Sequence, residues 1–444
     1  MIALGLDIGT TTIVLVALDL ETGKLVSSAS LPNLRVPDPA SYAHLQDAEA
    51  IVASVKALLA KWGGGAACLG ITGQMHSLLY LDSRGKPASR LHTWMDARAA
   101  VPVGGKLPLH QLEERSGRTL PPGYALATHY AHRMADTVPE SAARITGICE
   151  FVAEALVGEP LKASDASFLA SYGAWDAASG RFDDNFLQEL LGPDPPAFLS
   201  LAAPLSVAGL MNGRVPVAFP VGDNQAGFHG TVADPANSCL VSLGTSGQLS
   251  LLTAHPRSVP GMELRPFLGR GFLQVGATLC AGKAFEMLRD FLCAAALFAT
   301  GRPADPDAVY AAMTAAASLP SASLAVVPTF NGTRGDPGKR GALLNIGMDN
   351  LTPAALVSAM VEGIVEELRG FSDALGTDFE RMTRIIATGG LARRVPAVAA
   401  ALERAFGREV EIGAAGEGGA VGAALIGAEA AGLLDQADRA RIRL

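Results

Sequence analysis

The sequence predicts an α/β protein built from two related halves with a cleft between them. Three observations carry that prediction. Apolar patterns of helical and strand-like period alternate along most of the chain. A strand–Gly-Thr–strand unit occurs twice: placing Gly244-Thr245-Ser246 on Gly9-Thr10-Thr11 is an offset of 235 residues, with apolar strands on both sides each time. The length of 444 residues suits two or three domains, each large enough to bury its own core.

Composition narrows the class further. With 49% hydrophobic and 18% charged residues, the chain is not a disordered one. Much of the apolar content is alanine interleaved with 49 glycines, as in helices packed closely on sheets. The longest apolar stretches, such as 291–299, fall far short of the ~20 residues that span a bilayer, so no membrane partner is expected. A balance of 35 basic against 43 acidic side chains leaves a net charge of −8. With no Lys/Arg run, it offers no electrostatic footprint for nucleic acid. Cys68, Cys149, Cys239, Cys280 and Cys293 are scattered and never spaced C-x-x-C, which argues against disulfides or a zinc site and fits a reducing cytoplasm. The first segment reads as a strand, not a leader.

Taken in order, residues 2–6 and 13–18 are apolar runs flanking Asp7-Ile8-Gly9-Thr10-Thr11-Thr12, and 21–24 turn the chain into a third strand at 25–29. Residues 48–62 have helical spacing. A strand at 67–71 ends in Thr72-Gly73-Gln74-Met75-His76, and another follows at 78–81. Residues 101–123, rich in Pro and Gly, read as a long irregular connection. A strand at 215–219 delivers Gly222-Asp223-Asn224-Gln225. The second half opens with strands 239–243 and 248–252 and continues with a helix at 283–298, a strand at 324–327 and a helix at 353–375. A strand at 384–387, a helix at 395–405, a strand at 409–412 and an alanine-rich helix at 417–434 complete it. The boundary falls near 222–238, giving domains 1–230 and 231–444.

Gly and Thr after a buried strand expose backbone N–H groups and a hydroxyl at one point, which suits phosphate oxygens. Asp7 in the first loop would hold Mg²⁺ through water, while its counterpart in the second copy is Ser242. Alone, either loop serves equally well to turn a β-hairpin; two in register favour phosphate. Thr388-Gly389-Gly390-Leu391 joins a strand to a helix without side-chain bulk, as a nucleotide lying on backbone requires and as plain packing also allows. There is no G-x-x-x-x-G-K-[ST] and no G-x-G-x-x-G after a first strand.

Six segments in order resemble the FGGY carbohydrate kinases, members of the actin-like, ribonuclease-H-like ATPase superfamily. They are Asp7-Ile8-Gly9-Thr10-Thr11, Gly73-Gln74-Met75-His76, Gly222-Asp223-Asn224, Ser242-Leu243-Gly244-Thr245-Ser246, Thr388-Gly389-Gly390, and the run from Glu417-Gly418-Gly419 to Ala424. The resemblance implies two ribonuclease-H-like domains flanking a central cleft, with ATP and Mg²⁺ as cofactors and a ketose as substrate. Thr93-Trp94-Met95-Asp96-Ala97-Arg98, Ser164-Asp165, Ala170 to Gly173 and Gln248 look most like sedoheptulokinase, whereas Gln-Met-His and Gly-Asp-Asn look like xylulokinase. A homodimer is compatible with it.

By the resemblance, Asp223 is the base for the accepting hydroxyl and, with Asp7, the metal-side carboxylate. Residue by residue, the sugar contacts carry over to Gln74, Met75, His76, Trp94, Asp96, Arg98, Asp223 and Asn224. The nucleotide contacts carry over to Thr10, Thr11, Thr12, Gly244, Thr245, Ser246, Gly282, Gly389, Gly390 and Arg393, of which the segment around Gly282 matches only loosely. The residues themselves leave alternatives: Asp223 as a helix N-cap, His76 in a structural hydrogen bond, and Asp96 with Arg98 as a surface pair beside a buried Trp94. The loop 331–341 has the composition of a closing segment or of a plain solvated loop. An actin-like or chaperone-like ATPase and a sugar-sensing pseudokinase are the other functional readings. Asp7, Asp223 and both loops being intact speaks against the second.

Overall fold

The computed structural model describes residues 1–62, 65–319, 323–333, 336, 338–413 and 417–435. The chain divides into two compact units. The first comprises Met1–Ala233, Arg265–Arg270 and the chain from Glu417 onward; the second comprises Asp234–Leu264 and Gly271–Gly416.

In the first unit, β1 (Ile2–Ile8), β2 (Thr12–Asp19) and β3 (Leu25–Pro32) form an antiparallel meander. On the other side of β1, β4 (Cys68–Gly73) runs parallel to it, with Asp7 opposite Thr72 and Ile8 opposite Gly73. Beyond the edge strand β5 (Val207–Met211), two short strands, β6 (Val215–Ala218) and β7 (Val221–Gly222), both pair parallel with β4. All six residues of β4 are buried, as a central strand covered on both faces must be.

The two faces are distinguished by side-chain size. Leu4, Leu6 and Ile8 point into a core with α1 (Ala48–Trp62) and α2 (Ile148–Val157). Their neighbours Ala3 and Gly5 face the opposite way, where the backbone of another helix lies directly on the sheet. A Cβ on Gly5 would lie 1.8 Å from the Ala420 carbonyl oxygen, and one on Gly70 1.7 Å from that of Ala423. The close helix–sheet packing read from the Ala and Gly content is therefore present. The short α3 (Asp223–Thr231) packs on the same helix just as tightly, with Gly422 against the carbonyl of Ala226.

In the second unit, β8 (Ser238–Leu243) and β9 (Gly247–Thr253) form the second hairpin. Together with β10 (Met262–Pro266), β11 (Phe272–Thr278), β12 (Arg384–Thr388) and β13 (Glu409–Ile412) they give the order β10-β11-β9-β8-β12-β13. Each sheet thus has a hairpin, a further antiparallel strand beside it and a parallel strand on the far side of the first. The repeat is structural as well as sequential. Ile8 pairs Ile13 in the first hairpin and Leu243 pairs Gly247 in the second, so the second loop is one residue shorter. The long helices α4 (Gly282–Thr300) and α5 (Pro353–Leu375) cover this sheet, the latter capped by the Thr352 hydroxyl at the Ala355 N–H, 3.2 Å. A short helix, α6 (Gly390–Arg394), follows β12.

One expectation is corrected. The stretch 101–123 contains the helix Pro108–Ser116, opened by Pro at its first position and closed by Gly117 at φ 68°, so the Pro and Gly read as loop were its boundaries. The last helix, α7 (Gly418–Ala430), packs in the first unit, where Gly5 and Gly70 make room for it.

Candidate active site

In the first unit three parallel strands, β1, β4 and β7, end side by side, and the chain beyond each carboxyl end carries polar groups. Asp7 sits at the end of β1, Gln74-Met75-His76 follow β4, and Asp223 follows β7. Asp223 is the first residue of α3, and Gly222 holds the N-cap position without a side-chain bond, so the N-cap alternative for Asp223 is not what the chain adopts. Its Oδ1 accepts from the Asn224 N–H at 2.6 Å. Behind it, Thr72 Oγ1 donates to the Val221 carbonyl (2.6 Å), and the Gly222 N–H donates to Ser167 Oγ (2.9 Å). Ser167 in turn donates to Asp165 (2.5 Å), so Asp165 acts on the position of Asp223 from behind.

The carboxylates press on one another. Burial, then the negative charges of Asp223 and Glu417, push the Asp7 carboxyl up to about 7. Asp223 reaches solvent, so its crowding by protein is a partial desolvation. That still raises its pKa, against the lowering effects of the Arg265 charge and the Asn224 N–H. Glu417 heads α7 and accepts from Ser28 Oγ at 2.5 and 2.6 Å. Gly419, two residues on, leaves the space that Asp7 uses: a Cβ there would lie 2.5 Å from its Oδ2. Among the described residues no three His, Cys, Asp or Glu side chains converge on one metal position. Mg²⁺ does not need three, since it is held by one or two carboxylates with water and phosphate oxygens completing the shell. The repulsion of Asp7 by the Asp223 and Glu417 charges is one that such an ion would relieve.

A wall of mixed polarity continues from there. Met75 is buried with its sulfur against Gly222, where a Cβ would meet it at 2.6 Å. Gln74 donates to Gln46 Oε1 (2.7 Å) and accepts from the Thr10 hydroxyl (3.4 Å). The same hydroxyl accepts the Trp94 indole N–H at 2.9 Å, which leaves the ring half exposed. Gly123 passes against the Trp94 carbonyl, and the next residue, Tyr124, stacks on His76 with centroids 4.1 Å apart. His76 takes φ 66°, a costly region for a residue with a Cβ, and is held there by Nδ1 against the Ser171 carbonyl at 2.7 Å. A carbonyl partner assigns the proton to Nδ1, which makes Nε2 of the neutral ring an acceptor.

Two of the expected sugar ligands are committed elsewhere. Asp96 is fully buried and accepts from Arg98 Nε (2.7 Å) and Nη2 (2.8 Å), while Arg98 Nη1 meets His132 Nε2 at 3.0 Å. Burial pushes the Asp96 carboxyl up, but the hydrogen bonds from His92 and Arg98, with their charges, outweigh it and hold it well below the usual carboxylate range. Asp96 is buried, Arg98 part-buried and Trp94 exposed, which is not a surface pair beside a buried indole. Thr10, expected at phosphate, has its hydroxyl in the Gln74–Trp94 wall. Thr11 and Thr12 lie in the hairpin turn, where their carbonyls accept from the N–H groups of Asn33 and Gly9.

In the second unit a pocket of about 170 Å³ opens between Gly244-Thr245, Gly282, Tyr310, Gly390 and Arg394. Gly389 at φ 94° lets β12 approach β8, since a Cβ there would lie 2.3 Å from the Leu243 carbonyl. Gly282 is equally constrained, at 2.4 Å from the Gly244 oxygen. The Ala281 and Lys283 N–H groups donate to the Thr245 carbonyl at 3.0 and 3.2 Å, tying the loop to the start of α4. Ser246 adjoins the pocket in sequence. The guanidinium that lines it belongs to Arg394, stacked 4.9 Å over Tyr310, and Arg393 is exposed outside that lining.

Sequence reasoning missed Tyr124, Gln46, Arg265, Tyr310 and Arg394. Arg394 adjoins a residue it did name, but nothing local marks the others. The loop 331–341 includes residues 334, 335 and 337, which lie outside the described residues.

Duplicated sheets of one topology, carboxylates at strand ends and a glycine-lined pocket suit phosphoryl transfer. The chain belongs to the FGGY family of carbohydrate kinases: residues 2–230 match its N-terminal domain and 239–431 its C-terminal domain. It is 28% identical to a xylulose kinase of Streptomyces coelicolor over 99% of this chain and 90% of the relative. To the sedoheptulokinase of Homo sapiens it is 23% identical, over 81% of this chain and 80% of the relative. The crystal structure of a xylulose kinase from Lactobacillus acidophilus shares the fold, with a TM-score of 0.84 at 21% identity over 100% of this chain and 92% of that one. The protein is thus an ATP-dependent carbohydrate kinase. No helix among the described residues is long and apolar enough to cross a membrane.

Proposed function

We propose that this kinase phosphorylates a hydroxyl of a ketose, with Asp223 as the base and Mg-ATP as the donor. The observation that carries the proposal is the convergence of Asp7, Gln74-Met75-His76 and Asp223 at the carboxyl ends of adjacent parallel strands. A sugar hydroxyl is a weak acid, so Asp223 needs only to accept its proton as the bond to phosphorus forms. Its access to solvent is compatible with receiving a substrate there, and the Asn224 N–H at 2.6 Å orients it. The exposed Trp94 ring offers a face for sugar C–H groups, and His76 an acceptor for a hydroxyl. Asp7 and Asp223 would hold Mg²⁺, which would neutralise charge on the phosphates. The Arg394–Tyr310 stack supports adenosine binding on the second unit.

Sedoheptulose, giving sedoheptulose 7-phosphate, is the first reading, supported by the segment from Thr93 to Arg98 around Trp94. D-Xylulose is the second, favoured by a xylulose kinase relative that aligns over 99% of this chain. A coupled ADP-release assay over a panel of ketoses and polyols tests both. Turnover with one of the two sugars supports the proposal, and no turnover with any member of the panel defeats it.

A further inference from the structure

At the amino ends of the same parallel strands, on the far side of the first unit's sheet from Asp7 and Asp223, lies a cavity of about 420 Å³. Its walls come from the last turns of α1 and α2 and from the turn joining β5 to β6. Leu59, Trp62, Leu156 and Met211 make them apolar. Two cations, Lys56 and Arg214, stand at it; both are exposed, and among the described residues no acidic side chain lines the space. Among the described residues neither cation has an ion-pair partner, and the buried indole Nε1 of Trp62 has no acceptor.

An apolar cavity keeps water out poorly when it is this large, and its lining polar groups then seek partners. Here both charged heads at the cavity are positive, and the amide of Asn212 in the same lining is neutral. An apolar body would satisfy the walls and an anionic group the heads, with long-range attraction from the cations. The partial negative charge of the two helix ends is outweighed by two full positive charges. We infer that this cavity is a second ligand site, separate from the kinase centre, for a small organic anion with an apolar body.

The probe is 8-anilinonaphthalene-1-sulfonate, titrated into the full chain and followed by its own emission and by energy transfer from tryptophan. The inference predicts saturable binding of one probe per chain, unchanged by Mg-ATP and ketose. Binding should weaken at least tenfold in the Lys56→Glu/Arg214→Glu variant and at least fivefold in Lys56→Ala/Arg214→Ala. The uncharged analogue N-phenyl-1-naphthylamine should bind at least tenfold more weakly. Circular dichroism and sugar-dependent ADP release should stay as in the parent. Absence of saturable binding, displacement by Mg-ATP, or equal affinity in both variants overturns it; in the last case the cations serve only the helix ends.

Discussion

The indole N–H of Trp94 donates to the Thr10 hydroxyl at 2.9 Å, and that hydroxyl also faces Gln74 at 3.4 Å. A residue of the first hairpin loop thus holds the aromatic wall in place. Thr10→Val should raise the KM for the sugar about fivefold, the effect of one lost hydrogen bond of about 1 kcal/mol. The KM for ATP should hold within twofold, and Thr10→Ser should recover most of the loss. If instead the KM for ATP alone rises, the hydroxyl belongs to phosphate binding.

Asp223 stands on a first helical turn with its position set by Gly222, Ser167 and Asp165. Asp223→Asn keeps the shape and removes the base. Loss of general-base catalysis costs about 10²–10⁴-fold in kcat. Equilibrium binding of ATP and sugar, followed by calorimetry, should change by less than fivefold. Full activity in this variant would remove Asp223 from the chemistry.

Asp7 gives the protein a pH dependence. Its carboxyl, raised to about 7 in the fold, favours folding below its ordinary range and loses that contribution as pH rises toward 7. The whole shift corresponds to about 4 kcal/mol at 1.36 kcal/mol per pH unit, and partial solvent contact reduces it. Asp7→Asn should therefore be about 2 kcal/mol more stable than the parent at pH 8 and about equal at pH 4. Urea unfolding at the two pH values checks this, and the same variant should lose most of its kinase activity.

Asp96 is a buried carboxylate paired with a part-buried Arg98, and removing its charge breaks both hydrogen bonds from the guanidinium. Asp96→Asn should cost about 3–5 kcal/mol of stability, read from urea unfolding. A variant of unchanged stability with a raised sugar KM would return Asp96 to the sugar site.

Arg394 lines the second unit's pocket over Tyr310. Arg394→Ala should raise the KM for ATP about fivefold, a loss of about 1 kcal/mol, and leave the KM for sugar unchanged in steady-state assays. Arg393→Ala should do neither.

What could be read from the sequence depended on how local its cause was. The helix Pro353–Leu375 was legible to the residue, because Thr352 caps it, Pro353 opens it and its apolar positions recur at helical spacing. The helix Gly418–Ala430 was legible as a helix but not in its destination. It is buried from Ala420 to Ala428, with no polar face to orient it, and the glycines that receive it are Gly5 and Gly70, more than 340 residues away. Asp223 and Gln74-Met75-His76 were legible as groups at strand ends. Arg265 was not, since its influence on Asp223 arises from a segment that leaves the second half of the chain to join the first unit. The Asp96–Arg98 pair had the right residues for a sugar site; only the burial of Asp96, which spacing does not reveal, commits them to each other.

In the proposed reaction this constellation moves phosphate from ATP to a ketose. That reaction is tested most directly by quantifying ADP and sugar monophosphate together, by mass spectrometry, in reactions of the parent and Asp223→Asn with Mg-ATP and either sedoheptulose or D-xylulose. The parent should give equal molar amounts of the two products, and the variant should lose both by at least about 10²-fold. ADP formed without sugar phosphate, at the same rate with or without sugar, would contradict it.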